Sequence, residues 1–197
     1  MTARLPDAAV VVATRDRRDL LVDLLDSMAQ LDPLPAELVL VDDGSTIPIS
    51  RWLIPDSLPF RTRIVRNEVS VGPGAARNRG VHQSRGDVLL FTDDDCVLDR
   101  AWAGALVARL AAGADDLGGV GGRVLARDRD VFSRYYEFHR ILEPRPHDAR
   151  HPERIPYLVT ANCAMRRVAF MRAGGFDGRI PAAGGEDAAV SLRLAKR

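Results

Sequence analysis

Residues 86–96 read GDVLLFTDDDC: a short apolar run, Val88 to Phe91, that ends in three successive carboxylates, Asp93, Asp94 and Asp95. The run is too short for a helix, and its apolar, partly β-branched and aromatic content suits a buried strand. A strand delivers its last residues to one edge of a sheet. In open α/β sheets ligands collect outside the carboxyl ends of the strands, so acids placed there can hold a divalent cation or a hydroxyl group.

Working outward from this stretch, the chain repeats the same device. Residues 8–13 form an expected first strand that ends in Thr14-Arg15-Asp16-Arg17, and Leu20, Leu21, Leu24, Leu25 and Met28 recur at helical spacing over 17–30. Residues 37–41, ELVLV, make a second strand that ends in Asp42-Asp43-Gly44-Ser45. Strand, helix and strand in such close succession argue for a right-handed crossover and a parallel sheet. An irregular stretch over 47–60 and a strand over 61–66 follow, and Gly72-Pro73-Gly74 turns the chain into a helix over 75–84. Beyond the acids, the pattern predicts a helix over 102–111 and strands over 117–125 and 157–165. A short helix over 168–173 and a last helix over 188–197, opened by Gly184-Gly185-Glu186-Asp187, complete it. Residues 128–154, charged and aromatic and then rich in Pro, His and Arg, read as a partly helical flap and a mobile loop.

Composition narrows the partners. The 197 residues carry 28 basic and 27 acidic side chains, net charge +1, which gives no reason to expect a nucleic-acid groove. The length suits one domain, 1–197, with a ligand-binding half over about 1–100 and a second half over about 101–197. Two cysteines, Cys96 and Cys163, cannot build a disulfide framework, and the N-terminal apolar run fits a strand and not a signal peptide or a membrane span. The expected location is cytoplasmic, with peripheral contact at the cytoplasmic membrane face left open.

If the strands are parallel, Thr14-Arg15, Asp42-Asp43 and Asp93-Asp94-Asp95 share one rim. That is the geometry of a nucleotide site, in which one loop grips a base, another the ribose, and acids hold a metal that bridges a pyrophosphate. All-oxygen ligands suit magnesium or manganese.

The motifs VVVATRDR (10–17), LVLVDDGST (38–46), GPGAARNRG (72–80), GDVLLFTDDDC (86–96), NCAMRR (162–167), GGFD (174–177) and GGED (184–187) occur in an order that resembles the family 2 glycosyltransferases. The resemblance covers nearly all of the chain. It implies the GT-A fold, a Rossmann-like, mostly parallel central α/β sheet flanked by helices. It also implies an inverting, metal-dependent transfer of a sugar from a nucleotide-diphosphate sugar, with UDP the expected carrier, to an acceptor hydroxyl. Carried over by residue, Asp43 recognises the base with support from Asp42, and Thr14, Arg15 and Arg77 lie near the nucleotide. Asp93 lies near the ribose with Asp94 also at the nucleotide, Asp95 binds the Mn2+ or Mg2+ that carries the diphosphate, and Asp187 is the catalytic base with Glu186 beside it. Family members continue past the GGED helix, so the resemblance implies a chain truncated within that helix.

Each motif has a plainer reading. Asp42-Asp43-Gly44-Ser45 alone is a good turn, Gly72-Pro73-Gly74 is a tight entry to a helix, and Glu186-Asp187 alone is a favourable helix N-terminus. Three adjacent carboxylates, by contrast, repel one another and need compensation. Two other functions remain compatible with the residues. One is a sugar-phosphate nucleotidyltransferase, in which Arg15 or Arg17 would grip a triphosphate. The other is a nucleotide-sugar-binding module without turnover.

Overall fold

The structure, a computed structural model, describes residues 3–114, 116–127, 130–139, 155, 157–180 and 184–195. Its first half alternates strand and helix: β1 (Arg4–Thr14), α1 (Arg18–Ala29), β2 (Leu34–Asp43), β3 (Arg61–Asn67), α2 (Pro73–Gln83), β4 (Val88–Phe91) and α3 (Trp102–Ala111). The second half adds β5 (Gly119–Gly121), α4 (Val131–His139), β6 (Cys163–Arg166), α5 (Arg167–Arg172) and α6 (Glu186–Ala195). The stretch expected to be irregular holds two short 3-10 turns, Ile49–Arg51 and Pro55–Ser57.

The sheet has six strands in the order β3-β2-β1-β4-β6-β5. β1 pairs in parallel with β2 and β4, and β2 with β3. β6 runs against both β4 and β5. This is the mostly parallel arrangement the strand-helix alternation implies, with one reversed strand that the sequence pattern does not announce.

Both faces of the sheet are covered. Along the central strands successive side chains point to opposite faces, so Val10, Val12, Leu38, Leu40 and Leu90 enter the cluster under α1 and α3, with Leu21, Leu24, Met28, Leu106 and Leu110. Val11, Leu89 and Phe91 enter the opposite cluster with Val81, Phe170, Phe176 and Val190. There Phe91 meets the Phe176 ring edge-on at 5.3 Å. Each fully buried Leu or Phe contributes about 1.5–3 kcal/mol of transfer free energy. α2 lies especially close to the sheet. A Cβ on Gly80 would meet Val11 Cγ1 at 2.5 Å and Val41 Cγ2 at 2.9 Å, so any larger residue there must push the helix away.

Two expected strands are shorter in the structure. The stretch 117–125 pairs only over Gly119–Gly121, and 157–165 only over Cys163–Arg166. The flanking residues are spent on a turn instead: Asn162 N donates to Val159 O at 3.0 Å, Gly122 N to Asn162 O at 3.0 Å and Asn162 Nδ2 to Arg123 O at 2.7 Å. Of the expected flap, 131–139 form α4; residues 128, 129 and 140–154 lie outside the described residues, as do 196 and 197 of the last helix.

Candidate active site

Parallel pairing sets the site. Thr14 is level with Asp42, Asp43 with Asn67, and Val11 with Phe91, so the loops after β1, β2 and β4 leave the sheet at one rim. The two-residue period separates the neighbours Asp42 and Asp43. Asp42 continues the face of Leu38 and Leu40, and Asp43 continues the face of Val39 and Val41, which lies under α2.

Asp42 is fully buried. Its Oδ1 accepts the Ser45 N–H at 2.9 Å, and its Oδ2 accepts the Ile49 N–H at 3.1 Å and Arg66 Nη1 at 2.6 Å. Burial alone would push its pKa up, but the hydrogen bonds from Ser45, Ile49 and Arg66 outweigh it and hold the carboxyl below its usual range. The sequence reading groups Asp42 with the nucleotide contacts, but its oxygens are spent on the loop 44–49 and it lines neither cleft described below. Asp43 stands at the floor of the rim. Its Oδ1 accepts Asn67 Nδ2 at 2.7 Å and the Val71 N–H at 3.0 Å, and its Oδ2 accepts Ser70 Oγ at 2.7 Å and the Gly72 N–H at 3.1 Å. A carboxylate offers about four acceptor positions, so all are in use. These donors outweigh the effect of burial and keep the Asp43 carboxyl below its usual range.

The three acids after β4 are compensated by arginines. Arg17 Nη1 lies 3.1 Å from both Asp94 Oδ1 and Asp95 Oδ2, and Arg77 Nη2 lies 2.5 Å from Asp93 Oδ1. Burial dominates at Asp93 and pushes its pKa up, with Arg77 pulling against it and Asp95 and Asp94 adding repulsion. Arg77 is itself buried, its side chain 7% exposed, and its Nη1 donates to Glu186 Oε1 at 3.0 Å. Asp187, next along α6, is part-buried and accepts the Ala188 N–H at 2.7 Å. Burial raises its pKa, the Glu186 charge adds to the rise, and the Ala188 N–H and Arg77 oppose it.

Two clefts open from this rim. The first, about 500 Å³, is lined by Thr14, Arg15, Arg17, Asp43, Ser70, Arg77, Asp93, Asp94 and Asp95 among others. The second, about 680 Å³, is lined by Glu186, Asp187, Asn162, Trp102 and residues 123–127. Arg77, Asp93 and Asp95 belong to both, so the clefts meet at the acids. The structure thus brings together every candidate site residue of the sequence except Asp42.

Sequence reasoning missed the clasp on Asp43, the seat of Arg17 on the acids, and Asn162. Asn162 accepts Trp102 Nε1 at 2.9 Å in the second cleft. Asn162 sits in a motif already singled out, whereas the Arg17 pairs span 77 and 78 residues and leave no local signal.

Among the described residues, no group of three or more His, Cys, Asp or Glu is arranged around a point where a metal ion could sit. One or two carboxylates with substrate phosphates and water suffice for magnesium, however, and Asp95, half exposed at the junction of the clefts, offers hard oxygen donors of that kind. Among the described residues no helix is long and apolar enough to cross a membrane.

Known proteins resemble this chain in sequence and in fold. The profile of glycosyl transferase family 2 matches residues 9–174. An O-antigen biosynthesis protein of Myxococcus xanthus is 30% identical over 211 residues, an alignment covering 96% of this chain and 16% of that protein. A mannosyltransferase from Pyrobaculum calidifontis, solved in complex with GDP-Man and Mn2+, superimposes with a TM-score of 0.74 at 23% identity, over 96% of this chain and 52% of that one. TarS 1-349 of S. aureus, solved in complex with UDP-GlcNAc, gives a TM-score of 0.70 at 21% identity, over 95% of this chain and 53% of that one. The chain spans about half the length of these solved chains and less than a third of the leading curated relatives. The fold is GT-A, and the chain belongs to glycosyl transferase family 2.

Proposed function

We propose that this chain carries the donor site and the catalytic base of an inverting glycosyltransferase, which moves a sugar from a UDP-sugar to an acceptor hydroxyl. The observation that carries the reading is the junction of the two clefts. The first holds the residues suited to a nucleotide diphosphate, the second opens Asp187, and Asp93 and Asp95 stand between them. The binding of GDP-Man with Mn2+ and of UDP-GlcNAc by two proteins of the same fold supports a nucleotide-sugar donor.

In this reading Thr14 and Arg15 border the base, and Asp43 accepts a base ring N–H in exchange for the Ser70 hydroxyl, the one donor of its four that turns away by a simple rotation. Asp93 and Asp94 face the ribose and diphosphate. Asp95 would hold Mn2+ or Mg2+, a Lewis acid that neutralises charge developing on the leaving diphosphate, worth several kcal/mol. Asp187 in its ionised form takes the acceptor proton as the oxygen attacks, and stands in the cleft away from the diphosphate side. Attack opposite the leaving group inverts the anomeric carbon. One carboxylate on the acceptor is enough, unlike the pair that glycoside hydrolysis requires. The segment 128–154 would contribute acceptor contacts. Of the two arginines a nucleotidyltransferase could use to grip a triphosphate, Arg17 is engaged by Asp94 and Asp95, which leaves Arg15.

The test is calorimetric binding of UDP, GDP and dTDP, with Mn2+ and with chelator, to the wild type and to Asp95→Ala. Metal-dependent binding of UDP that is lost in the variant is expected. Equal binding in both, or pyrophosphate release from a nucleoside triphosphate and a sugar 1-phosphate, would overturn the reading.

A further inference from the structure

Glu186 and Asp187 are neighbours in one motif, yet their surroundings give them different work. Glu186 is 4% exposed. Its Oε1 accepts Arg77 Nη1 at 3.0 Å and its Oε2 accepts the Gly184 N–H at 2.8 Å, so each oxygen already has a donor. Asp187 takes no part in that ion pair: its Oδ1 accepts the Ala188 N–H at 2.7 Å, and it lines the second cleft from a part-buried position.

Arg77 is the centre of the arrangement. From α2 it donates with one terminal nitrogen to Asp93 of the acid loop and with the other to Glu186 at the start of α6. Its Nε is buried and has no acceptor among the described residues, which costs about 1–3 kcal/mol. The Phe176 ring lies 5.9 Å from the guanidinium carbon. Gly74 on α2 completes the close approach, since a Cβ there would meet Glu186 Cβ at 3.4 Å and Phe176 Cβ at 3.2 Å.

The rest of α6 is anchored elsewhere. Val190 is buried in the core, Ser191 Oγ accepts the Leu158 N–H at 2.9 Å, and Arg193 Nε donates to Ala173 O at 2.8 Å. Gly184 and Gly185 both have positive φ, 121° and 93°, and a Cβ on either would meet nothing within 4 Å. In the first turn of α6, which carries Asp187, Glu186 supplies the ion pair to α2.

We propose that Glu186 is a positioning residue: the bridge Asp93–Arg77–Glu186 fixes the first turn of α6 against the acid loop, and so sets the Asp187 carboxylate relative to the donor. The bridge is a contiguous chain of packed, hydrogen-bonded groups, one physical form in which coupling between two sites is carried. The proposal deepens the donor and base assignments above and rests on them for its kinetic part only.

The experiment compares Glu186→Ala and Glu186→Gln with the wild type and with Asp187→Asn, on the whole chain. Three readouts are needed: hydrogen exchange along α6, affinity for UDP and GDP with Mn2+, and turnover of the nucleotide sugar whose nucleotide binds. Glu186→Ala should speed exchange at 186–190 while leaving 191–195 unchanged. It should hold nucleotide affinity within about threefold and lower turnover about a hundredfold, the order expected when a catalytic group is misplaced by about 1 Å. Glu186→Gln keeps one acceptor for Arg77 and should recover about tenfold of that turnover. If Gln is as inactive as Ala and neither changes the exchange, Glu186 is a second base and the proposal fails. It fails too if nucleotide affinity falls in step with turnover. If the wild type binds no nucleotide, the donor reading is wrong, and the exchange profile alone decides whether Glu186 anchors α6.

Discussion

Replacing Asp42 with Ala separates a nucleotide contact from a structural one. The substitution orphans the Ser45 and Ile49 N–H groups and leaves Arg66 without its 2.6 Å partner. Hydrogen bonds to a charged acceptor are worth about 1.5–3 kcal/mol each, and a buried donor left unpaired costs about 1–3 kcal/mol. Arg66 is partly exposed and recovers some hydration, and neighbouring contacts do not add fully, so the expected loss is about 3–5 kcal/mol. For a domain of this length that is a fall in Tm of about 6–20 °C, readable by thermal denaturation followed by circular dichroism. The loss should depend on pH in a defined direction. The folded-state pKa of Asp42 is depressed, so its stabilisation is complete above the unfolded-state value and is lost as pH falls through the folded one. The gap between wild type and variant should therefore be full at pH 7 and begin to narrow only below about pH 4. A Tm within about 2 °C of wild type, together with weakened nucleotide binding, would refute the reasoning and return Asp42 to the nucleotide site.

Other substitutions probe the remaining parts. Asp187→Asn should abolish transfer without loss of nucleotide affinity. Burial, with Glu186 adding and Arg77 opposing, raises the Asp187 pKa, so activity on the acid side should be lost at a higher pH than an unperturbed aspartate would give, a shift visible in a pH–rate profile. Ser70→Ala removes the hydroxyl that competes for Asp43, and nucleotide affinity by calorimetry should stay within about threefold of wild type or tighten. A tenfold loss would show that the hydroxyl itself meets the base. Gly80→Ala drives a methyl into Val11 and Val41 and should cost about 1–3 kcal/mol by urea denaturation.

The sequence was most informative where local pattern and topology agree. Strand endings at Thr14, Asp43 and the Asp93 loop could be read because apolar runs stop abruptly in polar residues, and parallel pairing then forces them to one rim. The division between Asp42 and Asp43 was also legible in principle, since adjacent strand residues face opposite ways. Pairing between distant residues was not. Arg77 and Glu186 are 109 residues apart and Arg17 and Asp94 are 77 apart, and nothing near either marks its partner. Three adjacent carboxylates were expected to need compensation, and the compensation in this structure comes from those arginines. The reversed direction of β6 was hidden for a similar reason, because side-chain alternation reads the same in either direction along a strand.

That reversed strand also decides what can be cut or exchanged. β6 closes the open side of β4, through the register Val88↔Arg166 to Phe91↔Cys163, with residues from near the end of the chain. A fragment stopping soon after the acids would leave Val88–Phe91 as an unpaired apolar margin, prone to join another copy. The residues of the first cleft therefore do not form an exchangeable module. Grafting the first cleft onto a different second half would succeed only if the incoming segment brought its own antiparallel partner for β4, in the same register.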